Sequence, residues 1–235
     1  MPGWPFFSDP LLSPATLGFA VKWGRMKRVS LSLLCLVAVG ELVYVFTFRP
    51  WFLRWGATPN ELAKSLPGDE IVSRPLSLAM RAITINAPPE KVWPWIAQIG
   101  QGRGGFYSYT WLENLIGCQI VNADRIHPEW QDVKAGDVVV LHPKAPPIPV
   151  AFVQPGYALV LGARAGPAAV GMPSVSWAYI IEPAGAGQTR LLIRWRSSFQ
   201  PTAREYVINK HVLEPIHFIM ERGMMLGIKE RAEKH

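Results

Sequence analysis

The residues best equipped for chemistry lie near the C-terminus. There "NKHVLEPIHFIMERG" spaces His211, Glu214, His217 and Glu221 three and four residues apart. On a helix that spacing puts all four side chains on one face. Imidazoles and carboxylates together offer metal ligands or an acid–base pair. Glu214-x-x-His217 has the spacing of a di-iron bundle motif, but that design needs a second helix with the same signature, and the sequence has none. No metal and no cofactor is therefore expected. A helical wheel sets the four residues opposite Val212, Leu213, Ile216, Ile219, Met220 and Met224, an apolar face of ordinary width. Two readings of the polar face follow: a solvated surface, or a polar wall at the edge of a cavity.

A second group lies in "TRLLIRWR". In a strand Arg194 and Arg196 share a face with Leu192, while Leu191, Ile193 and Trp195 share the other. Facing inward, Arg194 would hold a carboxylate or phosphate through paired hydrogen bonds, with Glu221 as its partner in the empty protein. Facing water, it is an ordinary solubilising charge. The loop-like "NADRIHPEWQD" adds Asp124, either an acid–base candidate or the partner of Arg103 or Arg125. Tyr107, Trp111, Trp177 and Tyr179 are candidates for core or pocket lining, since large aromatics supply apolar area. No Ser-His-Asp or Cys-His arrangement is legible. Two cysteines, Cys35 and Cys118, are too few for a disulfide framework or a Cys-type zinc site.

Gly100, Gly102 and Gly105 fit G-x-G-x-x-G, with Asp124 about 20 residues further on, the written form of a dinucleotide fingerprint. That site needs a strand before the glycines and a helix directly after. Here Val92, Trp93, Ile96 and Ile99 recur at helical spacing before them, and "FYSY" follows. Nucleotide binding is therefore not expected, and the glycines are read as a mobile loop beside a cavity mouth. The net charge of +7 comes from scattered cations, with no basic block interleaved with aromatics, so nucleic acid is not an expected partner either.

These groups need elements to position them. Met80, Ala82, Ile83 and Ile85 mark a strand, and Pro88-Pro89-Glu90 starts a helix. A second helix is expected over about Ser108–Leu115. Strands are expected over about Val138–Leu141, Val150–Val153, Tyr157–Ala163, Val175–Ile181 and Arg190–Phe199, joined by Pro/Gly turns into an antiparallel meander. A long amphipathic helix that Pro215 kinks closes the chain.

Upstream, Val29–Phe48 is an apolar run of about 20 residues, the length a helix needs to cross the hydrocarbon core. Its only charge is Glu41. A cleaved signal peptide has a shorter apolar region ending at small residues, whereas this run ends in "FTFRPWF". The expected organisation is a leader over residues 1–28, a transmembrane anchor over 29–48, a linker over 49–78 and a soluble domain over 79–235. Lys22, Arg25, Lys27 and Arg28 precede the run, while Arg49 and Arg54 follow it. That bias favours a single-pass protein with a cytoplasmic N-terminus and its domain outside the cytoplasm. Trp4, Phe6, Phe7 and Trp23 on one side, and Trp51, Phe52 and Trp55 on the other, suit headgroup-level aromatic belts.

Four stretches carry a family likeness: "RAITINAPPEKVWPWIAQIGQGRGGFYS", "AGDVV", "TRLLIRWR" and the final helix. Together they resemble the START-like SRPBCC superfamily, near its polyketide-cyclase-like membrane-bound members, over about Arg81 to Glu233. The resemblance implies an α+β helix-grip fold, a curved antiparallel sheet wrapped around a long C-terminal helix with an apolar cavity between. It also implies binding of lipids, sterols, polyketides or hormones; some members are cyclases, hydrolases or transfer proteins, with no shared catalytic motif. The anchor, "GQGRGGFYSY" and "NADRIHPEWQDVKAGD" depart from the minimal family domain. The expected function is membrane-anchored binding or transfer of a hydrophobic small molecule or lipid. Its pocket candidates are Tyr107, Trp111, Asp124, Trp177, Tyr179, Arg194, His217 and Glu221. One alternative is a cyclase- or hydrolase-type enzyme using Asp124, His217 or Glu221 as acid and base. Another is a protein-interaction module without an open cavity.

Overall fold

β-branched and aromatic residues in alternation build most of the sheet, because branched side chains pack well on a pleated surface. In the computed structural model, which describes residues 32–163 and 174–234, the strands are β1 (Ser77–Ile85), β2 (Val138–Val139), β3 (Ile148–Gln154), β4 (Ala158–Ala163), β5 (Ser174–Pro183) and β6 (Thr189–Ser198). They form one antiparallel sheet in the order β1-β6-β5-β4-β3-β2, a meander whose last strand returns to pair with the first. The helices are α1 (Ser32–Leu53), then α2 (Pro59–Ala63), α3 (Pro89–Ala97), α4 (Thr110–Leu115), α5 (Ala203–Ile208) and α6 (Glu214–Lys234). A π-helical turn, Asn209–Leu213, joins α5 to α6. The architecture is α+β, a six-stranded antiparallel sheet and a long C-terminal helix in the helix-grip order. The expected strands are all present, their ends moved by a residue or two, with β2 cut to two residues.

The chain divides into two compact units, Met1–Pro50 and Trp51–His235. The helix α1 is long and apolar enough to cross a membrane, and its last three residues belong to the second unit. The leader, its cations and its aromatic residues lie outside the described residues.

Strand alternation gives the sheet two different faces. The inner face carries Leu159, Leu161, Tyr179, Leu191 and Ile193, which pack with Trp95 and Ile96 of α3 and with Met224, Met225 and Ile228 of α6. The outer face carries Met80, Ala82, Val160, Ala178, Ile180 and Leu192. The stretch expected as a linker covers this outer face. Leu66 is buried in it, and Leu62 and Ile71 pack against it. The helix α2 starts on a capping box in which Thr58 Oγ1 accepts from the Glu61 N–H at 3.3 Å and Glu61 Oε2 accepts from the Thr58 N–H at 2.7 Å, satisfying two otherwise orphan donors. Burying each large aliphatic side chain there contributes about 1.5–3 kcal/mol.

Proline cannot donate the N–H a helix expects, and its ring crowds the carbonyl four residues back. Pro94 is accommodated inside α3. Pro215 follows directly on the π turn, whose wider register removes the expected i→i−4 bond at that point. Each inserted residue shifts the helix faces by about 100°, one residue's rotation at 3.6 residues per turn. The buried stripe of α6 runs Glu214, Glu221, Met224, Ile228 and Ala232, residues that share one face by ordinary helical spacing.

Candidate functional site

An apolar cavity of about 650 Å³ lies between the inner sheet face and the C-terminal helix. Phe106, Ile120, Leu141, Val175, Trp195 and Met220 contribute to its mostly apolar lining. Ile116, Leu213 and Ile216 line it and are also 70%, 49% and 49% exposed, so they form the rim where it meets solvent.

One polar cluster crosses the cavity wall. Arg81 on β1 pairs with Glu221 on α6, both side chains fully withdrawn from solvent. The same guanidinium donates from Nε to the Phe52 carbonyl at 2.9 Å, and its carbon sits 5.3 Å from the centre of the Phe218 ring. The other Glu221 oxygen accepts from the Trp177 indole N–H at 2.7 Å. His217 completes the cluster, with Nδ1 3.4 Å from Arg81 Nη1 and Nε2 3.5 Å from Glu221 Oε1. Nearby, the Ser77 hydroxyl donates to buried Glu214 at 2.8 Å. A buried charge is tolerable only when paired and hydrogen-bonded, and here each charge has its opposite. Two atoms of the cluster stay without a hydrogen-bond partner among the described residues, Arg81 Nη2 and His217 Nε2.

Burial pushes the His217 imidazole down to about 4; the Glu221 carboxylate opposes that shift and the Arg81 guanidinium adds to it. The ring is therefore neutral at neutral pH. Arginine can only donate, so a hydrogen bond from Arg81 requires the lone pair on Nδ1 and puts the ring proton on Nε2, towards Glu221.

A second polar group sits apart from this cluster. Glu113 on α4 lines the cavity at 7% exposure, and its Oε2 has no hydrogen-bond partner. Burial pushes its carboxyl up to about 7. Burial also raises the thiol of Cys118 beside it, and the Glu113 charge raises it further.

Of the eight expected pocket residues, Trp177, His217 and Glu221 meet at the cavity. Tyr179 lies fully buried beneath it, its hydroxyl 3.7 Å from Met224 Sδ. Tyr107 is core rather than lining, edge-on to Trp95 at 5.6 Å and 4.9 Å from the Arg231 guanidinium. Trp111 is exposed on α4. Asp124 lies in a separate open groove with Arg103, Asn122 and His127. Arg103 does not pair with it, donating instead to the carbonyls of Ala97 at 3.1 Å and Trp130 at 2.7 Å. Arg194 points to the outer face. It pairs with Asp69 at 2.7 Å and donates to the Lys64 carbonyl at 2.8 Å. The expected Arg194–Glu221 pair is thus replaced by Arg81–Glu221. Register explains it: Arg81 faces Ile193 across the β1–β6 ladder, so it shares the inner face that alternation denies to Arg194.

Two further expectations are corrected. On α6 the polar residues Glu214, His217 and Glu221 turn inward, while Val212, Leu213, Ile216 and Ile219 are about half exposed. The glycine segment is a closed turn rather than a loop over the mouth. Gly100 and Gly105 exchange backbone hydrogen bonds of 2.9 and 3.0 Å, and none of these glycines lines the cavity. Its position is set by Asn122, whose Oδ1 accepts from the N–H groups of Phe106 at 3.1 Å and Tyr107 at 2.7 Å. Gly105 has φ +73°, and a Cβ there would lie 2.5 Å from that oxygen. This turn follows a helix, not a strand, so it lacks the setting of a dinucleotide site.

Sequence reasoning missed Arg81, Glu113 and Asn122. Arg81 left a signal, as the one charge inside the strand "SLAMRAITI". Glu113 and Asn122 left none, because each matters through neighbours distant in sequence. Among the described residues no cluster of His, Cys, Asp and Glu could hold a metal ion.

No family model and no curated protein matches the chain. Among solved structures, the KanY protein is 12% identical, with a TM-score of 0.42, over 67% of this chain and 97% of that one. A protein from Thermobifida fusca is also 12% identical, with a TM-score of 0.42, over 67% and 93%. Protein MLL2253 from Mesorhizobium loti is 16% identical, with a TM-score of 0.37, over 67% and 98%. At these values the likenesses carry no information about activity, and the fold rests on this chain's own sheet order and C-terminal helix.

Proposed function

We propose that this protein binds a hydrophobic small molecule or lipid in the helix-grip cavity while tethered to a membrane by α1, as a START-like, polyketide-cyclase-like member of the SRPBCC superfamily. The observation that carries the reading is the cavity itself: about 650 Å³, mostly apolar, with a few placed polar groups at one wall. Ligand sites typically combine those features, in volumes of about 300–1,000 Å³. The apolar rim of Ile116, Leu213 and Ile216 suits uptake of a molecule dissolved in lipid. Tethering would raise the encounter rate with such molecules through effective concentration.

Binding is favoured over catalysis by how the polar cluster is committed. Glu221 is engaged by Arg81 and Trp177, and the His217 lone pair faces Arg81. A general base needs a free acceptor within reach of the substrate proton, and the cluster offers none. The cyclase- or hydrolase-type reading then falls to Glu113, a buried cavity carboxyl whose Oε2 has no hydrogen-bond partner among the described residues.

Native extraction of the full chain, followed by mass spectrometry of co-purifying small molecules, tests the proposal. A hydrophobic molecule retained at near-stoichiometric amount, and lost when Trp177 and Trp195 are replaced by alanine, is the expected result. An empty protein, with no saturable uptake of lipids or fluorescent apolar probes, would sink it. A reporter fused after His235 tests the orientation, with the domain expected outside the cytoplasm.

A further inference from the structure

The cavity has a second polar point that the Arg81–Glu221 cluster does not reach. Glu113 stands on the first turn of α4, among Phe106, Ile116, Cys118, Ile120 and Leu141 of the same wall. It is nine-tenths buried, yet among the described residues its carboxylate makes no ion pair and its shielded Oε2 no hydrogen bond. Leaving a buried polar group unsatisfied costs about 1–3 kcal/mol. A ligand in the cavity that Glu113 lines could supply the missing partner.

The charges facing the cavity are known from every element that builds it. The strand β1 contributes Arg81; α5 contributes Glu205; the C-terminal helix contributes Glu214, His217 and Glu221; the β2–β3 connection contributes His142. Arg81 is already paired with Glu221. Cys118 is the group coupled to Glu113, and a thiolate there would repel the carboxylate. Among the described residues no cation therefore stabilises an ionised Glu113, and its burial favours the uncharged acid.

Building on the ligand-binding reading above, we infer that Glu113 acts as a hydrogen-bond donor to an uncharged oxygen of the ligand, a carbonyl, ester or ether, at the α4 end of the cavity. The ligand class is accordingly narrower than a plain hydrocarbon. It is an apolar molecule with an oxygen acceptor set apart from whatever meets Arg81. Its binding weakens as pH rises through about 7, where Glu113 ionises.

Two near-isosteric probes separate this inference from the reading beneath it: 2-acetylnaphthalene, which has a carbonyl, and 2-ethylnaphthalene, which has none. Binding to the full chain in nanodiscs is followed by tryptophan quenching at pH 5.5 and 8.5, with empty nanodiscs subtracted. At pH 5.5 the ketone should bind about 2- to 12-fold more tightly, the range for one net hydrogen bond. That preference should vanish at pH 8.5. It should persist at both pH values in Glu113→Gln, whose amide still donates, and be absent in Glu113→Leu. Equal binding of the two probes by the parent protein, or a ketone preference that survives Glu113→Leu, overturns the inference while leaving the cavity reading intact. Tighter binding of 1-(2-naphthyl)ethylamine than of the ketone at pH 5.5 also overturns it, because Glu113 would then serve as a carboxylate for ammonium ligands where it should be uncharged. Failure of both naphthalenes to bind overturns the inference and the cavity reading together.

Discussion

Two buried arginines, Arg81 and Arg194, lie on adjacent strands and do different work. Arg194 reaches through the outer face into the covering segment, where Asp69 and the carbonyls of Glu61, Leu62 and Lys64 receive it. It fastens residues 61–69 to the sheet. Arg81 points the other way, into the wall of a cavity, and is held by Glu221 and one carbonyl. Each leaves one N–H without a partner among the described residues. Arg81 belongs to the lining of the cavity, and Arg194 does not. The comparison teaches that burial and pairing do not by themselves mark a functional charge. What separates these two is which sheet face, and so which side of the cavity wall, each one occupies.

The strongest way to break this comparison is to remove Glu221. Glu221→Leu strands Arg81 as an unpaired buried charge, a change that costs about 3–5 kcal/mol. Denaturant unfolding of the full chain should show that loss, and Arg81→Met added to Glu221→Leu should recover much of it. Arg194→Met is expected to be milder, about 1–3 kcal/mol for the lost charge-assisted hydrogen bonds, because Asp69 keeps Arg196 as a partner at 3.2 Å. It should leave cavity affinity unchanged, whereas Arg81→Met should alter it. A ligand-affinity change in Arg194→Met would mean the outer face communicates with the cavity.

Titration sharpens the contrast inside the cavity, where His217 and Glu113 are displaced in opposite directions. The folded value of His217, about 4, lies below its ordinary 6.5. The unfolded chain therefore takes up a proton first, and stability falls by about 1–3 kcal/mol as pH drops from 6.5 towards 4. The folded value of Glu113, about 7, lies above its ordinary 4.5. The folded chain then keeps a proton the unfolded chain has shed, so stability falls as pH rises from 4.5 to 7. The two slopes oppose each other between pH 4.5 and 6.5. In Glu113→Gln only the His217 slope remains, so thermal midpoints should climb across that interval and stay above the parent at pH 8. A midpoint curve that Glu113→Gln leaves unchanged would show that Glu113 is not displaced.

The smallest effect belongs to the rim. Leu213→Ser with Ile216→Ser should change stability by less than about 0.5 kcal/mol per site, as at other exposed positions. Exchange of an apolar probe between vesicles and the cavity should nevertheless slow. Loss of stability without slower exchange would return these residues to ordinary packing.

By itself the sequence determined the order of the elements. Alternation marked the strands, helical spacing marked α3 and the C-terminal helix, and Pro/Gly turns marked the meander. These are local signals, carried by neighbours along the chain. It also determined α1, because an unbroken apolar run is legible without any fold. The helix expected before the glycine segment was likewise legible from the spacing of Val92, Trp93, Ile96 and Ile99.

Tertiary structure decided which faces look inward. The sequence sorted Arg194 from Trp195 correctly but could not say which side held the cavity, since both sheet faces are covered and both are largely apolar. The wheel for α6 left Glu221 either in water or on a polar wall at the cavity edge, because the usual rule is that charges avoid the interior. The fold overrides that rule by bringing Arg81 from a strand 140 residues away in the chain. Glu113 is hidden for the same reason: the cavity it lines is closed by Phe106, Ile120 and Leu141, which the fold alone brings together. A carboxyl's partners, or its want of them, are facts of three-dimensional neighbourhood, and no spacing along the chain encodes them.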